Sequence, residues 1–331
     1  MSVYTHLEQQ DIEAFLAGYG QGELVDFRGI EAGVENSNYF VNTQVAGEPD
    51  VRQFVLTLFE YQPREQLPFF IDFMTLLADN GLPVPAPVRN REGEALLTLK
   101  GKPCLLQPRM PGEHLEKQEI TAPKCFTIGR YLASIHRIGQ SSSISQKNLR
   151  GIPWIQAQVD RLTPLLSEAE REFLTEQWQE ISKELKQFNS LPEGLIHADL
   201  FFDNVLFDNS EVSGIIDFFQ SCHDWLIYDV SVAVNDWCLN DDLTLDAEKT
   251  EAFLNGYQSV RLFMPEEKQA WPVIQRLSCL RFWLSRLVTF VHPEDHHDSY
   301  QNDEAVRNFL DPEKFRAMLV LRADKTLPRS D

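Results

Sequence analysis

Apolar residues first recur at helical spacing: Ile12, Phe15 and Leu16 mark one face of a helix predicted over Leu7 to Ala17, and Gly18 and Gly20 stop it. The period then shortens to two. Leu24 to Ile30, Asn38 to Asn42 and Phe54 to Phe59 read as three strands of an antiparallel sheet, separated by turn-rich segments. Helical spacing returns from Arg64 to Asp79, where Leu67, Phe70, Ile71, Met74 and Leu77 form an apolar face and Gly81 is the stop signal. Leu82-Pro83-Val84-Pro85-Ala86-Pro87 is a stiff extended connector. Strands near Glu94 to Leu99 and Lys102 to Gln107 follow, and then helices from Glu119 to Ile138, Trp154 to Leu162 and Ser167 to Phe188. Beyond them lies a different texture. Val205 to Phe207 and Val212 to Ile216 read as short buried strands joined by a turn at Asp208-Asn209-Ser210, followed by a helix over Leu226 to Trp237 and a late one through Leu280 to Leu287.

Composition narrows the class. The chain has 331 residues, 43% hydrophobic and 24% charged, enough for two lobes with sizeable cores. A formal charge of −20 without any Lys/Arg-rich run opposes binding to nucleic acids or anionic membranes. Cys104, Cys125, Cys222, Cys238 and Cys279 are odd in number and form no C-x-x-C pair, as expected of reduced thiols. No secretory leader or membrane-length apolar run is legible, so the expected address is the cytoplasm.

The candidate chemistry is concentrated in Ile196-His197-Ala198-Asp199-Leu200-Phe201-Phe202-Asp203-Asn204-Val205-Leu206-Phe207 and Gly214-Ile215-Ile216-Asp217-Phe218. Phosphoryl transfer has a loose transition state, so a protein catalysing it mainly positions groups and supplies metal-borne positive charge. Asp199 suits the proton of an attacking alcohol, and Asn204 and Asp217 offer hard oxygen ligands to Mg²⁺ on the phosphates of ATP. His197 is read as bracing the loop. Gly33-Val34-Glu35-Asn36-Ser37-Asn38 lies between the first two strands, where backbone N–H groups and the small side chains of Asn36, Ser37 and Asn38 can approach phosphate oxygens.

These two motifs resemble those of the aminoglycoside phosphotransferase and choline kinase-like small-molecule kinases. Val34 to Phe40, Phe54 to Glu60, Leu67 to Phe70 and Leu280 to Leu287 are similar to the bacterial homoserine kinase branch of that family, and the likeness spans nearly the whole chain. The resemblance implies an α+β, two-lobe protein kinase-like fold, with a small antiparallel-sheet lobe over 1–107 that binds nucleotide and a mainly helical catalytic and substrate-binding lobe over 108–331. It implies Mg·ATP as phosphoryl donor and a small amino acid, L-homoserine, as acceptor.

In that frame Gln107-Pro108-Arg109-Met110-Pro111-Gly112 is the hinge, with the Gln107 carbonyl and the Arg109 N–H as adenine partners, because Pro108 has no donor. Thr57 stands where protein kinases carry a phosphate-binding Lys, a departure that also admits a catalytically silent nucleotide-binding protein. Asp229 is read as structural. A zwitterionic acceptor needs a guanidinium for its carboxylate, for which Arg281 or Arg286 is the candidate, and acids or amides for its ammonium, for which Asp236 and Asn235 are candidates. An internal Arg–Asp salt bridge between helices is the competing reading. An aminoglycoside or amino-alcohol acceptor is the alternative substrate class.

Overall fold

Helix α1 (Gln9–Leu16) forms on the first apolar stripe, and the Glu8 and Asp11 side chains close a capping box at its start. Strands β1 (Glu23–Gly29), β2 (Asn36–Gln44), β3 (Val51–Phe59), β4 (Leu97–Leu99) and β5 (Lys102–Pro108) make one antiparallel sheet in the order β1-β2-β3-β5-β4. Between β3 and β4, helix α2 (Leu67–Asp79) follows a single 3₁₀ turn at Arg64–Gln66. Its α-helix starts three residues later than the expected Arg64, with Pro68 in the first turn, where a missing N–H costs no hydrogen bond.

The computed structural model describes residues 3–30, 36–291 and 311–322. The chain divides into two compact units, Met1–Glu113 with Leu206–Ile216, and His114–Val205 with Asp217–Asp331.

In the first unit the period-two pattern sorts the sheet into two faces. Tyr39 and Val41 of β2, Phe54, Leu56 and Leu58 of β3, and Cys104 and Leu106 of β5 pack with Ile12, Phe15 and Leu16 of α1 in one apolar core. Each large side chain so buried contributes roughly 2 kcal/mol. The opposite face carries the cross-strand rows Asn38-Thr57-Leu105 and Phe40-Val55-Gln107. Strand β6 (Glu113–His114) joins the hairpin formed by β8 (Val205–Asp208) and β9 (Glu211–Ile215), with Asn209 at φ 56° in its turn.

The second unit contains helices α3 (Ala122–Gln140), α4 (Ile152–Leu162) and α5 (Glu168–Leu185), then strand β7 (Glu193–Ile196) paired antiparallel with β10 (Cys222–Trp225). Helices α6 (Leu226–Trp237), α7 (Ala247–Gln258), α8 (Pro265–Val291) and α9 (Pro312–Leu321) complete it among the described residues. Every residue of α6 is buried, so its polar side chains face neighbouring elements and none faces solvent. Helices α3 and α7 cross closely at two glycines: a Cβ on Gly129 would strike the Phe253 carbonyl, and one on Gly256 the Phe126 carbonyl. Arg276 of α8 ties that helix to α5 through Glu180 at 2.7 Å and Glu184 at 3.0 Å. The four-residue strands β7 and β10 are too short for a period to reveal, and they were not expected from the pattern.

Candidate active site

Strand β7 delivers its chain into a loop whose backbone is held from behind by one buried carboxylate. Asp229, on the first turn of α6, accepts the His197 N–H at 2.8 Å and the Ala198 N–H at 2.7 Å. Its Oδ2 also meets His136 Nε2 at 2.9 Å, and His136 Nδ1 meets the Tyr257 hydroxyl at 2.7 Å. The α3–α7 glycine crossing brings His136 and Tyr257 this close. Asp229, His136 and His197 are all fully buried, so these bonds carry the full cost of any unpaired group. Ala198 sits at φ 66°, a left-handed conformation costing roughly 1–2 kcal/mol in a non-glycine residue, and the Asp229 bond to its N–H helps hold it there.

Asp199 follows directly. Its carbonyl accepts Asn204 Nδ2 at 2.8 Å and the Phe201 N–H at 2.8 Å. Trp237 Nε1 donates to the Leu200 carbonyl at 3.0 Å, and Asp236 Oδ2 accepts the Phe202 N–H at 2.8 Å. Four side chains, those of Asp229, Asn204, Trp237 and Asp236, thereby set the path of the loop that carries Asp199.

Asp217 lies at φ 61° and ψ 60°, the residue before a 3₁₀ turn over Phe218–Gln220. Phe218 is fully buried, with its ring centroid 4.5 Å from that of His197. Ser221 Oγ also donates to the His197 carbonyl at 3.4 Å. The segment bearing Asp217 is thus seated on the loop bearing Asp199 and Asn204, and His197 supplies the bracing surface read from the sequence.

The donor set fits a hard divalent cation. Asn204 commits its amide nitrogen to the Asp199 carbonyl, which orients its Oδ1 as an acceptor, and Asp217 adds a carboxylate. Among the described residues no three His, Cys, Asp or Glu side chains are grouped to hold an ion alone. Mg²⁺ is commonly held by only one or two protein oxygens, with water and substrate phosphates completing its octahedron.

The acidic character continues past Asp199. Burial pushes Asp236 up to about 6, with the nearby Asp203 and Asp199 charges adding to the rise, while the Lys314 ammonium and the Phe202 N–H oppose it. Burial likewise raises Asp203, against its own backbone N–H and the charges of His114, Arg286 and Lys314. Neither Asp203 nor Lys314 was singled out from the sequence. Asp203 sat inside the motif as an unremarked neighbour of Asn204, and Lys314 lies far along the chain.

The remaining candidates separate by geometry. Asn235 is a packing residue: its amide nitrogen donates to Ser278 Oγ at 2.9 Å and the Gln275 carbonyl at 3.3 Å, and its Oδ1 accepts Arg322 Nε at 2.8 Å. Neither end of that amide is turned to a ligand, because α6 directs this face into α8. Arg281 and Arg286 are five residues apart, about 140° around a helix, and do not share a face. Arg281 is buried with its guanidinium 4.1 Å from the Phe282 ring, and its charge acts on Cys222 and Tyr228. Arg286 is the one whose charge acts on Asp203.

In the first unit, Gly33 lies outside the described residues. Asn36 is buried at the start of β2. Ser37 Oγ accepts the N–H groups of Tyr4 and Thr5 at 2.8 and 3.0 Å and donates to Glu60 at 2.5 Å, so it latches the N-terminal segment to the sheet. Glu60 in turn pairs with Lys102 at 3.2 Å. Asn38 Oδ1 accepts the hydroxyl of Thr57 at 2.7 Å, the residue in the expected lysine position. Gln107 uses its side chain to hold the Pro85 carbonyl at 2.7 Å. The Arg109 N–H donates to the Gln53 carbonyl at 3.0 Å, extending the β3–β5 ladder, so this donor is not presented to an adenine; its guanidinium stacks 4.3 Å from the Phe40 ring centroid.

A braced Asp-Asn loop beside a strand-end Asp, in a chain with a small antiparallel sheet and a helical second unit, defines a phosphotransferase of kinase-like fold. Residues 26–263 match the model of the phosphotransferase enzyme family. The chain is 43% identical over 288 residues to a homoserine kinase of Pseudomonas aeruginosa (strain LESB58), covering 87% of this chain and 89% of that one. It is 42% identical over 305 residues to a homoserine kinase of Methylobacillus flagellatus, covering 92% of each. Its backbone resembles that of an amicoumacin kinase solved with AMP-PNP, Ca²⁺ and Ami, with a TM-score of 0.71 at 15% identity over 95% of this chain and 94% of that one. The chain belongs to the phosphotransferase enzyme family and, within it, to the homoserine kinases.

Proposed function

We propose that the protein transfers the γ-phosphoryl group of Mg·ATP to the hydroxyl of L-homoserine, giving O-phospho-L-homoserine on the route to threonine. The observation that carries this reading is the braced loop in which Asn204 holds the Asp199 carbonyl, together with the homoserine kinase relatives. Asp199 orients the acceptor hydroxyl and takes its proton as the O–P bond forms. Asn204 and Asp217 are the residues that would hold Mg²⁺, which when bound supplies positive charge to the phosphate oxygens. Residues 1–107, including Gly33, Asn36, Ser37, Asn38 and Gln107, form the proposed nucleotide-binding lobe, and 108–331, which opens with Pro108 and Arg109 of the hinge segment, the catalytic and substrate-binding lobe. Within the lobe Ser37 and Asn38 act by shaping the β2 end, since their side chains are hydrogen-bonded inside the sheet.

A cytoplasmic setting is part of the proposal. No helix among the described residues is long and apolar enough to cross a membrane, and the described cysteines are free and buried. The deciding experiment is coupled ADP release with Mg·ATP and L-homoserine, against L-serine, choline and kanamycin as rival acceptors. Turnover with homoserine alone supports the proposal. Turnover with choline or kanamycin instead keeps the kinase chemistry and overturns the substrate, and ATP binding without turnover on any acceptor supports a silent nucleotide-binding protein.

A further inference from the structure

Asp199 is linked to the last described helix by a run of aromatic rings. Phe201, two residues after Asp199, packs against Phe282 of α8 with the rings tilted and their centroids 4.9 Å apart, and Phe282 stacks on Phe315 of α9 at 5.2 Å. Two cations flank Phe315: the Lys314 ammonium lies 5.7 Å and the Arg286 guanidinium 6.0 Å from its ring centroid. Two carboxylates belong to the surroundings of the Asp199 loop. Asp236 is fixed by the Phe202 N–H, and Asp203 stands four positions after Asp199 in the same loop.

Lys314 acts electrostatically on both Asp203 and Asp236, yet among the described residues it makes no ion pair with either. Asp203 Oδ1 is shielded from solvent and has no hydrogen-bond partner. A shielded carboxylate oxygen without a donor is costly unless a ligand supplies one. Acids with a cation that neutralises neither of them are complementary to a zwitterion.

Resting on the phosphotransferase reading above, we propose that Asp203 and Lys314 are the specificity residues for an α-amino acid acceptor. Asp203, with Asp236, receives the ammonium, and Lys314 receives the carboxylate, while the acceptor hydroxyl lies at Asp199. Covalent chemistry is unchanged by this assignment, which concerns only how the charged end of the acceptor is held.

The test uses the full chain with saturating Mg·ATP and three acceptors of matched length: L-homoserine, 3-amino-1-propanol, which lacks the carboxylate, and 4-hydroxybutyrate, which lacks the ammonium. Lys314→Met keeps the aliphatic contact with Phe315 and should raise KM for L-homoserine about 10- to 100-fold with a much smaller change in kcat. It should leave KM for 3-amino-1-propanol unaltered, whereas Lys314→Arg should restore much of the homoserine affinity. Asp203→Asn should weaken L-homoserine and 3-amino-1-propanol by a similar factor and spare 4-hydroxybutyrate. If both variants keep the wild-type KM for L-homoserine, or weaken all three acceptors equally, the assignment is overturned while the kinase reading stands. If the wild-type chain does not phosphorylate L-homoserine, both fall together. Thermal melts of each variant separate a binding defect from lost folding.

Discussion

Asp229 Oδ1 accepts the N–H of Ala198 at 2.7 Å, and Ala198 is held at φ 66° immediately before Asp199. A buried acid on α6 thereby fixes the direction in which the candidate base leaves the backbone. Replacing Asp229 by Ala leaves two buried N–H groups and His136 Nε2 without their acceptor. Loss of such a network costs roughly 3–5 kcal/mol. Urea denaturation should show the unfolding free energy lowered by that amount, through a lower midpoint at unchanged slope, and Ala198→Gly should be far milder than Ala198→Val, since glycine adopts positive φ freely and valine does not.

Asp199→Asn removes the group assigned to the acceptor proton but keeps its shape. The expected outcome is a fall in kcat of roughly 10²–10⁴-fold with little change in the affinity for ATP. Steady-state kinetics paired with nucleotide titration check it, and a near-normal kcat would remove Asp199 from the mechanism.

Asn204 has two duties, the bond to the Asp199 carbonyl and the proposed metal oxygen. Asp217 is assigned the second. Asp217→Asn should therefore be partly rescued by raising Mg²⁺, whereas Asn204→Ala should not, because added metal cannot restore the loop bond. Chelation of divalent cations should abolish wild-type turnover. Rates measured across a Mg²⁺ series distinguish the two variants, and equal rescue of both would contradict the separate roles.

Burial raises Asp236 to about 6, and Asp203 and Asp199 face it alongside the opposing Lys314. A carboxyl whose folded pKa lies above its unfolded value binds protons more readily in the native state. Its contribution to stability therefore falls as pH rises from about 4 to about 6 and is flat above that. Asp236→Asn retains an acceptor for the Phe202 N–H without the buried charge. Its stability relative to wild type should improve by roughly 1–3 kcal/mol between pH 4.5 and pH 8. Denaturation of both proteins at the two pH values measures this, and a difference that does not vary with pH would show that Asp236 is not the titrating group.

The catalytic motifs were legible because their geometry is local. Asp199 and Asn204 are joined through a loop so short that the amide of one reaches the carbonyl of the other, and the β8–β9 hairpin between Asn204 and Asp217 follows from its apolar runs and its Asp-Asn-Ser turn. The role of Asp236 was harder to read. Asn235 and Asp236 are about 100° apart on α6, and in a helix buried on every side no polar stripe tells which one faces the loop. The same ambiguity paired Arg281 with Arg286, although α8 turns the first toward Tyr228 and Cys222 and the second toward Asp203.

By itself the sequence determined the first helix, the antiparallel sheet, the hairpin after Asn204, the loop that carries Asp199 and Asn204 and the segment that carries Asp217, since these depend on period, turn chemistry and short spacings. Only the tertiary structure decided that Asp229 holds the Ala198 backbone through a network reaching Tyr257, that Asn235 is a packing residue, and that the Lys314 charge acts on Asp203 and Asp236. Those relations depend on the rotational setting of each helix against its neighbours. Packing of buried side chains such as Phe282 and Phe315 fixes that setting, and it leaves no period in the chain.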